Sequence, residues 1–248
     1  MFKAILFDLD DTLLANSIET FIPFYFEALG KYMAHLIPPE RLVTEIMRAT
    51  RAMEKNNGTG PTNQEAFASV FYPAVGHARE ELEPIFARFY TEEFPKLQHL
   101  TRSIPEARRL VEWAFERGLR VVIATNPLFP RVAIEHRLKW ANIPVTEFDY
   151  ALVTSYENMH ATKANPAYYS EIVAKLSYEP RECLMIGDDW DRDMMPAALI
   201  GISIYWVTRP DDTLLPIPPM QQFRGGVLVG QGTVESLWDW IGRGGLAV

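Results

Sequence analysis

A chain of 248 residues, 48% hydrophobic and 23% charged, holds enough apolar material for one large core or for a core with a modest accessory domain, and its composition is that of a folding chain. A formal charge of −8 and a pI near 5.2 exclude an overall basic surface, so no nucleic-acid partner is expected. The single cysteine, Cys183, excludes an internal disulfide, and the longest nearly apolar stretch, 194–207, is too short and too broken by Pro196 and Gly201 to span a bilayer.

Lys3 to Phe7 is a short run of strand formers that ends abruptly in acids at positions 8, 10 and 11. The run meets Asp8 too soon to be a secretory signal core, so a cytoplasmic location without membrane attachment is the expectation. Helical spacing comes next, in Ile18, Phe21, Ile22, Tyr25, Phe26 and Leu29, then in Leu42, Ile46 and Met53, with no convincing strand before residue 100. Asn56, Asn57, Gly58, Gly60 and Pro61 form a turn cluster that divides this helical pair from another around 65–71 and 79–94.

After Pro105 helices and strands alternate: helix 105–117, strand 120–124, helix 130–141, strand 150–154, helix 166–176, strand 183–186, helix 194–199 and strand 202–207. Such alternation predicts an α/β fold, a Rossmann-like parallel sheet with helices on both faces and ligands bound beyond the C-terminal strand ends. A proline-rich connection over 210–219, a strand at 227–229 and a helix at 234–241 complete the pattern. Gly230, Gln231 and Gly232 begin a dinucleotide-like motif, but Glu235 stands where its third glycine belongs, which argues against a nicotinamide cofactor.

Four polar segments lie just past predicted strands: Asp8 to Leu13, Thr125 with Asn126, Lys163, and Gly187 to Asp193. A phosphomonoester repels an attacking carboxylate unless a cation intervenes, and Asp8 with Asp188 on separate strand ends suits Mg2+. Lys163 can keep Asp8 ionised and counter phosphoryl charge, while Thr125 and nearby backbone amides donate hydrogen bonds. Asp10 can protonate a departing alkoxide and then deprotonate water. Each segment alone has a plainer reading: acids that cap a turn, Thr125 and Asn126 that cap a helix, a solvated lysine before the helix start at Asn165 and Pro166. Four aspartates within 187–193 would repel one another without a cation, and the ordered combination is far more specific than any member. The histidines at 35, 77, 99, 136 and 160 show no zinc-like pairing.

Together the DLDDTL opening, Thr125 and Asn126, the isolated Lys163 and the GDDWDRD segment resemble the haloacid dehalogenase superfamily over residues 1–208. The resemblance implies a core domain at 1–14 and 101–248, and a helical cap at 15–100 that selects a small phosphorylated substrate. It makes Asp8 the nucleophile, Asp10 the acid/base and a metal ligand through its backbone carbonyl, and Asp188 the residue that completes the magnesium site. Thr125, Asn126 and Lys163 match phosphate-binding positions. Asp193 matches a supporting acid, and Asp189, in place of a small polar residue, competes for that task.

The implied reaction is hydrolysis of a phosphomonoester through an aspartyl phosphate. Phosphoryl transfer or mutase chemistry, or true dehalogenation, are the alternatives on this site; halide release needs no proton, which leaves Asp10 without a task in a dehalogenase. A phospho-receiver module also combines acids, a hydroxyl and a lysine at a sheet edge, but the long helical insertion and Asp10 disfavour it. The aromatic stripe Phe21, Phe24, Tyr25, Phe26 and Tyr32 reads as cap core rather than substrate box. Nothing in the pattern specifies a partner protein or an oligomeric state.

Overall fold

The computed structural model describes residues 1–209 and 226–246. The first strand, β1 (Ala4–Phe7), leads into a turn and a two-residue strand, β2 (Leu14–Ala15), which pairs antiparallel with β3 (Arg102–Ser103). Between these short strands lie four helices, α1 (Ile18–Met33), α2 (Pro39–Glu54), α3 (Asn63–Val75) and α4 (Arg79–Arg88), then a π-helical turn and a 3-10 segment reaching Leu100. A strand thus does occur before residue 100. Two residues are too few to leave a hydrophobic period in the sequence.

The alternating region runs α5 (Pro105–Glu116), β4 (Arg120–Ile123), α6 (Arg131–Trp140), β5 (Leu152–Val153), α7 (Pro166–Leu176), β6 (Cys183–Gly187), α8 (Met195–Leu199), β7 (Ser203–Val207), β8 (Leu228–Gly232) and α9 (Val234–Gly242). Six of the strands form a sheet in the order β5-β4-β1-β6-β7-β8, every neighbouring pair parallel. The expected connection at 210–219 lies outside the described residues. Gly230 to Gly232 belong to β8 rather than to a nucleotide-binding turn.

Side chains alternate across the sheet, as the strand period of two requires. Ile5, Phe7, Val121, Ile123, Leu184 and Ile186 join one apolar cluster with residues of α5, α6 and α9, such as Leu110, Ile134 and Leu237. Leu6, Val122, Met185 and Ile204 join a second, with Tyr168 and Ile172 of α7 and Ala197 of α8. The fold is therefore a three-layered α/β domain with an all-helical insertion. Among the described residues no helix is long and apolar enough to cross a membrane. Cys183 is fully buried, and burial pushes its thiol up to about 12.

The insertion packs continuously onto the first cluster. Phe94 stacks on Trp140 of α6 at 5.4 Å between ring centres, and the hydroxyls of Tyr25 and Tyr90 meet at 2.8 Å. The turn at 56–63 does more than separate helices. Asn63, fully buried, donates from Nδ2 to the carbonyls of Ala161 at 3.1 Å and Pro127 at 3.3 Å, and the Gly58 amide donates to the carbonyl of His160 at 2.8 Å. These bonds satisfy backbone acceptors of the sheet-edge loops and tie the insertion to them.

Candidate active site

Asp8 comes directly after β1, Thr125 lies two residues beyond β4, and Asp188 comes directly after β6. Because β1 sits between β4 and β6 with Phe7 in register with Ile123 and Ile186, the three residues emerge side by side. The Asp8 amide donates to the carbonyl of Ile186 at 2.9 Å, so the ladder continues to Asp8 itself. The chain then turns sharply, with amides of Leu13 and Leu14 donating to the carbonyl of Leu9, each at 2.9 Å, and Asp11 at φ 56. Aspartate tolerates that left-handed conformation better than most residues.

Thr12, to which the sequence pattern assigned no task, is buried, and its Oγ1 lies 3.4 Å from Asp8 Oδ2 and 3.3 Å from Asp188 Oδ1. One hydroxyl proton serves one of these acceptors at a time. Trp206 holds the backbone of Asp188, its indole Nε1 donating to the Asp188 carbonyl at 2.8 Å.

Lys163 comes from the turn before α7, where Asn165 caps the helix by accepting from the Ala167 amide at 3.0 Å. The plain reading of Asn165 and Pro166 as a helix start therefore holds, but Lys163 is not a solvated lysine. It is 3% exposed, and its Nζ bonds both Asp8 Oδ1 and Asp193 Oδ1. Its amide donates to Asn126 Oδ1 at 3.3 Å. Asn126 and Thr125 do not cap α6, whose N-cap is Pro130. Thr125 is buried, and its carbonyl accepts from Thr154 Oγ1 at 2.7 Å and the Tyr168 hydroxyl at 2.9 Å.

The two candidate supporting acids, Asp189 and Asp193, occupy different places. Asp189 Oδ1 accepts from the amides of Asp191 and Arg192, both at 3.0 Å, so it caps the π-helical turn after it on the solvent side. That turn carries Asp193 inward to full burial, where Oδ2 accepts from the Asp189 amide at 3.2 Å and Oδ1 from the Tyr169 hydroxyl at 3.3 Å. A Cβ at position 187 would sit 2.4 Å from Asp193 Oδ2, which is why glycine ends β6.

Asp10 has partners of its own. Its Oδ2 pairs with Arg137 Nη1, and its Oδ1 accepts from Asn16 Nδ2 at 2.7 Å. Arg137 is 2% exposed, its guanidinium lies 5.1 Å from the Phe129 ring centre, and its Nε and Nη2 have no partner among the described residues. Asp10 is thus the carboxylate on which a buried cation depends. Sequence reasoning missed Arg137, although its spacing from Ile134, Leu138 and Ala141 put it on the buried face of α6.

Burial drives the electrostatics. It pushes Asp8 up against the pull of the Lys163 ammonium, and it raises Asp188 to about 9 with help from the negative charge of Asp8. Burial also raises Asp193 to about 7, with Lys163 opposing. Burial works against the Lys163 charge, but Asp193 and Asp8 outweigh it and hold the ammonium above its ordinary value. Oxygens of Asp8, Asp188 and Asp193 lie within 4.8 Å of one another, with a single lysine among them. This all-oxygen set with excess negative charge fits a hard divalent cation. Asp193 is fully buried with both oxygens engaged, by Lys163 and by the Asp189 amide, whereas Asp188, among the described residues, accepts only from the Thr12 hydroxyl that it shares with Asp8.

A family model described as haloacid dehalogenase-like hydrolase matches residues 2–201, a span that contains Asp8, Asp10, Thr125, Lys163, Asp188 and Asp193. Phosphoglycolate phosphatase of Haemophilus influenzae is 23% identical over 231 residues, covering 87% of this chain and 90% of the relative. Among solved structures, a phosphatase of the same family from Thermococcus onnurineus aligns with a TM-score of 0.58 at 20% identity, over 97% of this chain and 98% of that one. A 2-haloacid dehalogenase from Pseudomonas syringae aligns with a TM-score of 0.60 at 18% identity, over 98% and 99%. At such identities the structural likeness speaks for the fold, which phosphatases and dehalogenases share.

Proposed function

The chain is an enzyme of the haloacid dehalogenase-like hydrolase family, and we propose that it hydrolyses a small phosphomonoester with magnesium by way of a phosphorylated Asp8. The observation that carries this reading is Asp8 at the end of β1, paired with Lys163 and beside Asp188, with a second acid, Asp10, two residues on. A dehalogenase needs the first carboxylate and not the second, since a halide leaves without a proton. Residues 15–100 are assigned the role of a cap that closes over the site and selects among esters.

A carboxylate oxygen of Asp8 attacks phosphorus in line, the bond to the leaving oxygen breaks, and Asp10 gives that oxygen its proton. Asp10 then takes a proton from water, whose oxygen attacks phosphorus, and the Asp8–phosphorus bond breaks to return the carboxylate and free phosphate. Lys163 and Thr125 offset charge on the phosphoryl oxygens throughout. Asp193 and Tyr169 keep Lys163 in place. Asp8, Asp188 and the Asp10 backbone carbonyl would hold magnesium, which when bound would supply the positive charge that lets a carboxylate approach a phosphate.

The metal is testable apart from catalysis. Magnesium should raise the melting temperature of the protein, since a ligand at a hundred times its Kd adds about 2.7 kcal/mol to stability. Excess chelator should remove both this gain and phosphate release. Hydrolysis undiminished by chelator, with no melting shift, contradicts the metal assignment.

Asp10→Asn should lower steady phosphate release from an alkyl phosphate by about 10² to 10⁴, the worth of a positioned acid/base. With p-nitrophenyl phosphate, whose leaving group needs no proton, an initial burst of nitrophenolate should persist while later turnover slows. Near-normal steady turnover on the alkyl ester refutes the role given to Asp10.

A further inference from the structure

Between the helical insertion and the sheet-edge loops lies a cavity of about 720 Å³, within the range of small-molecule sites. Its insertion-side wall includes Ile22, Phe26, Met47, Phe67 and Phe86, and its core-side wall includes Leu128, Phe129 and Val132. Two apolar members of the lining, Ile18 at 39% and Met47 at 40%, are exposed, so the described residues leave apolar surface uncovered here. The aromatic stripe read from the sequence as cap core therefore divides: Phe21 is buried, Phe26 lines the cavity, and Tyr25 does both.

None of the reactive side chains lines the cavity, but three loops that leave C-terminal strand ends run on from the reactive residues to its wall. Leu128 and Phe129 come after Thr125 and Asn126, Tyr156 and Glu157 come after β5, and Ile18 and Glu19 come after the Asp8 to Asn16 turn. Phe129 is also the ring against which Arg137 rests, and Arg137 holds Asp10. Asp10, the proposed donor to the leaving oxygen, is thus one side chain removed from the cavity wall.

The charge of the lining selects the occupant. Among the described residues that line it there is no lysine, arginine or histidine, whereas Glu19, Glu54, Glu83 and Glu157 all take part. Glu83 is paired with Arg79, and Glu157 accepts from the Arg131 amide at 2.9 Å and 3.1 Å, so neither is free to be displaced by another anion. A carboxylate bound here would lose water, meet like charge and find no cation.

We propose that this cavity receives the leaving group of the substrate and that this group is largely apolar, aromatic or branched, without a carboxylate. The proposal rests on the phosphatase reading, and it separates this chain from a phosphatase whose substrate carries a carboxylate, as phosphoglycolate does.

The test compares 2-phenylethyl phosphate with phosphoglycolate and O-phosphoserine as substrates of the full chain with magnesium. The expected kcat/KM for the phenylethyl ester exceeds that of either carboxylate ester at least tenfold, roughly the least that one group in an apolar pocket contributes. Met47→Lys, at a half-exposed position that tolerates a long side chain, should move the ratio at least about tenfold toward phosphoglycolate. A wild-type preference for either carboxylate ester, or an unchanged ratio in the variant, overturns the inference and leaves the phosphatase reading standing. If no ester releases phosphate, that reading fails, and calorimetry of the wild-type chain with 2-phenylethanol and with glycolate decides the cavity alone. Tighter binding of 2-phenylethanol supports the inference, and equal or tighter binding of glycolate overturns it.

Discussion

Asp8→Asn is expected to abolish turnover, with a loss on the order of 10⁶, the scale seen when a covalent nucleophile is removed elsewhere. The amide nitrogen cannot attack phosphorus, and the remaining oxygen no longer carries the charge that Lys163 is placed to balance. Magnesium binding should weaken in the same variant, because the proposed site loses one of the two carboxylates, Asp8 and Asp188, that would share the cation. The contrast with Asp10→Asn is the informative part. That variant keeps its backbone carbonyl, so magnesium should bind nearly as in the wild type while turnover falls. Calorimetric titration with magnesium, beside phosphate release, separates the two phenotypes. Equal magnesium affinity in the wild type and in Asp8→Asn contradicts the ligand assignment.

Lys163→Met should cost both stability and activity. Methionine matches the length of the lysine stem, so the cavity left is small, but Asp8 and Asp193 lose the cation they share in a site that is nearly closed to water. Removing one partner of such a buried pair destabilises by about 3–5 kcal/mol, far beyond the median for an exposed ion pair. Turnover should fall by about 10² to 10³, as when one preorganised donor is lost from a transition-state site. Magnesium should restore part of the stability by replacing the missing charge, which a merely structural lysine would not produce. Denaturant unfolding with and without magnesium measures this, and a stability within the range of surface substitutions would show that Lys163 is not the counter-charge.

The positions of Asp8, Thr125 and Asp188 were legible because buried parallel strands announce themselves as apolar runs, and the residues just past the C-terminal end of each run must lie at one edge of the sheet. Lys163, ten residues beyond β5, was legible only through the family resemblance. The side chains that adjust these residues were harder to see. Thr12 stood in the opening motif, but its contact with Asp188 joins two strands far apart in sequence. The choice between Asp189 and Asp193 depended on a π-helical turn over Trp190–Met194 that no apolar period reveals. Arg137 did leave a signal, a charged residue on the apolar face of a helix, yet that signal does not say which acid it would meet. Pairing of β2 with β3 left none, and the docking of Asn63 onto the loops around Pro127 and Ala161 needed the tertiary structure.

Everything in the proposed chemistry turns on Asp8 becoming phosphorylated. The most direct measurement is the stereochemical course at phosphorus, monitored with a substrate made chiral by oxygen isotopes and hydrolysed in isotopically distinct water. Transfer to Asp8 and then to water comprises two in-line displacements, so the account predicts net retention of configuration. Net inversion would show a single displacement by water and contradict the aspartyl-phosphate route, leaving Asp8 as a metal ligand only.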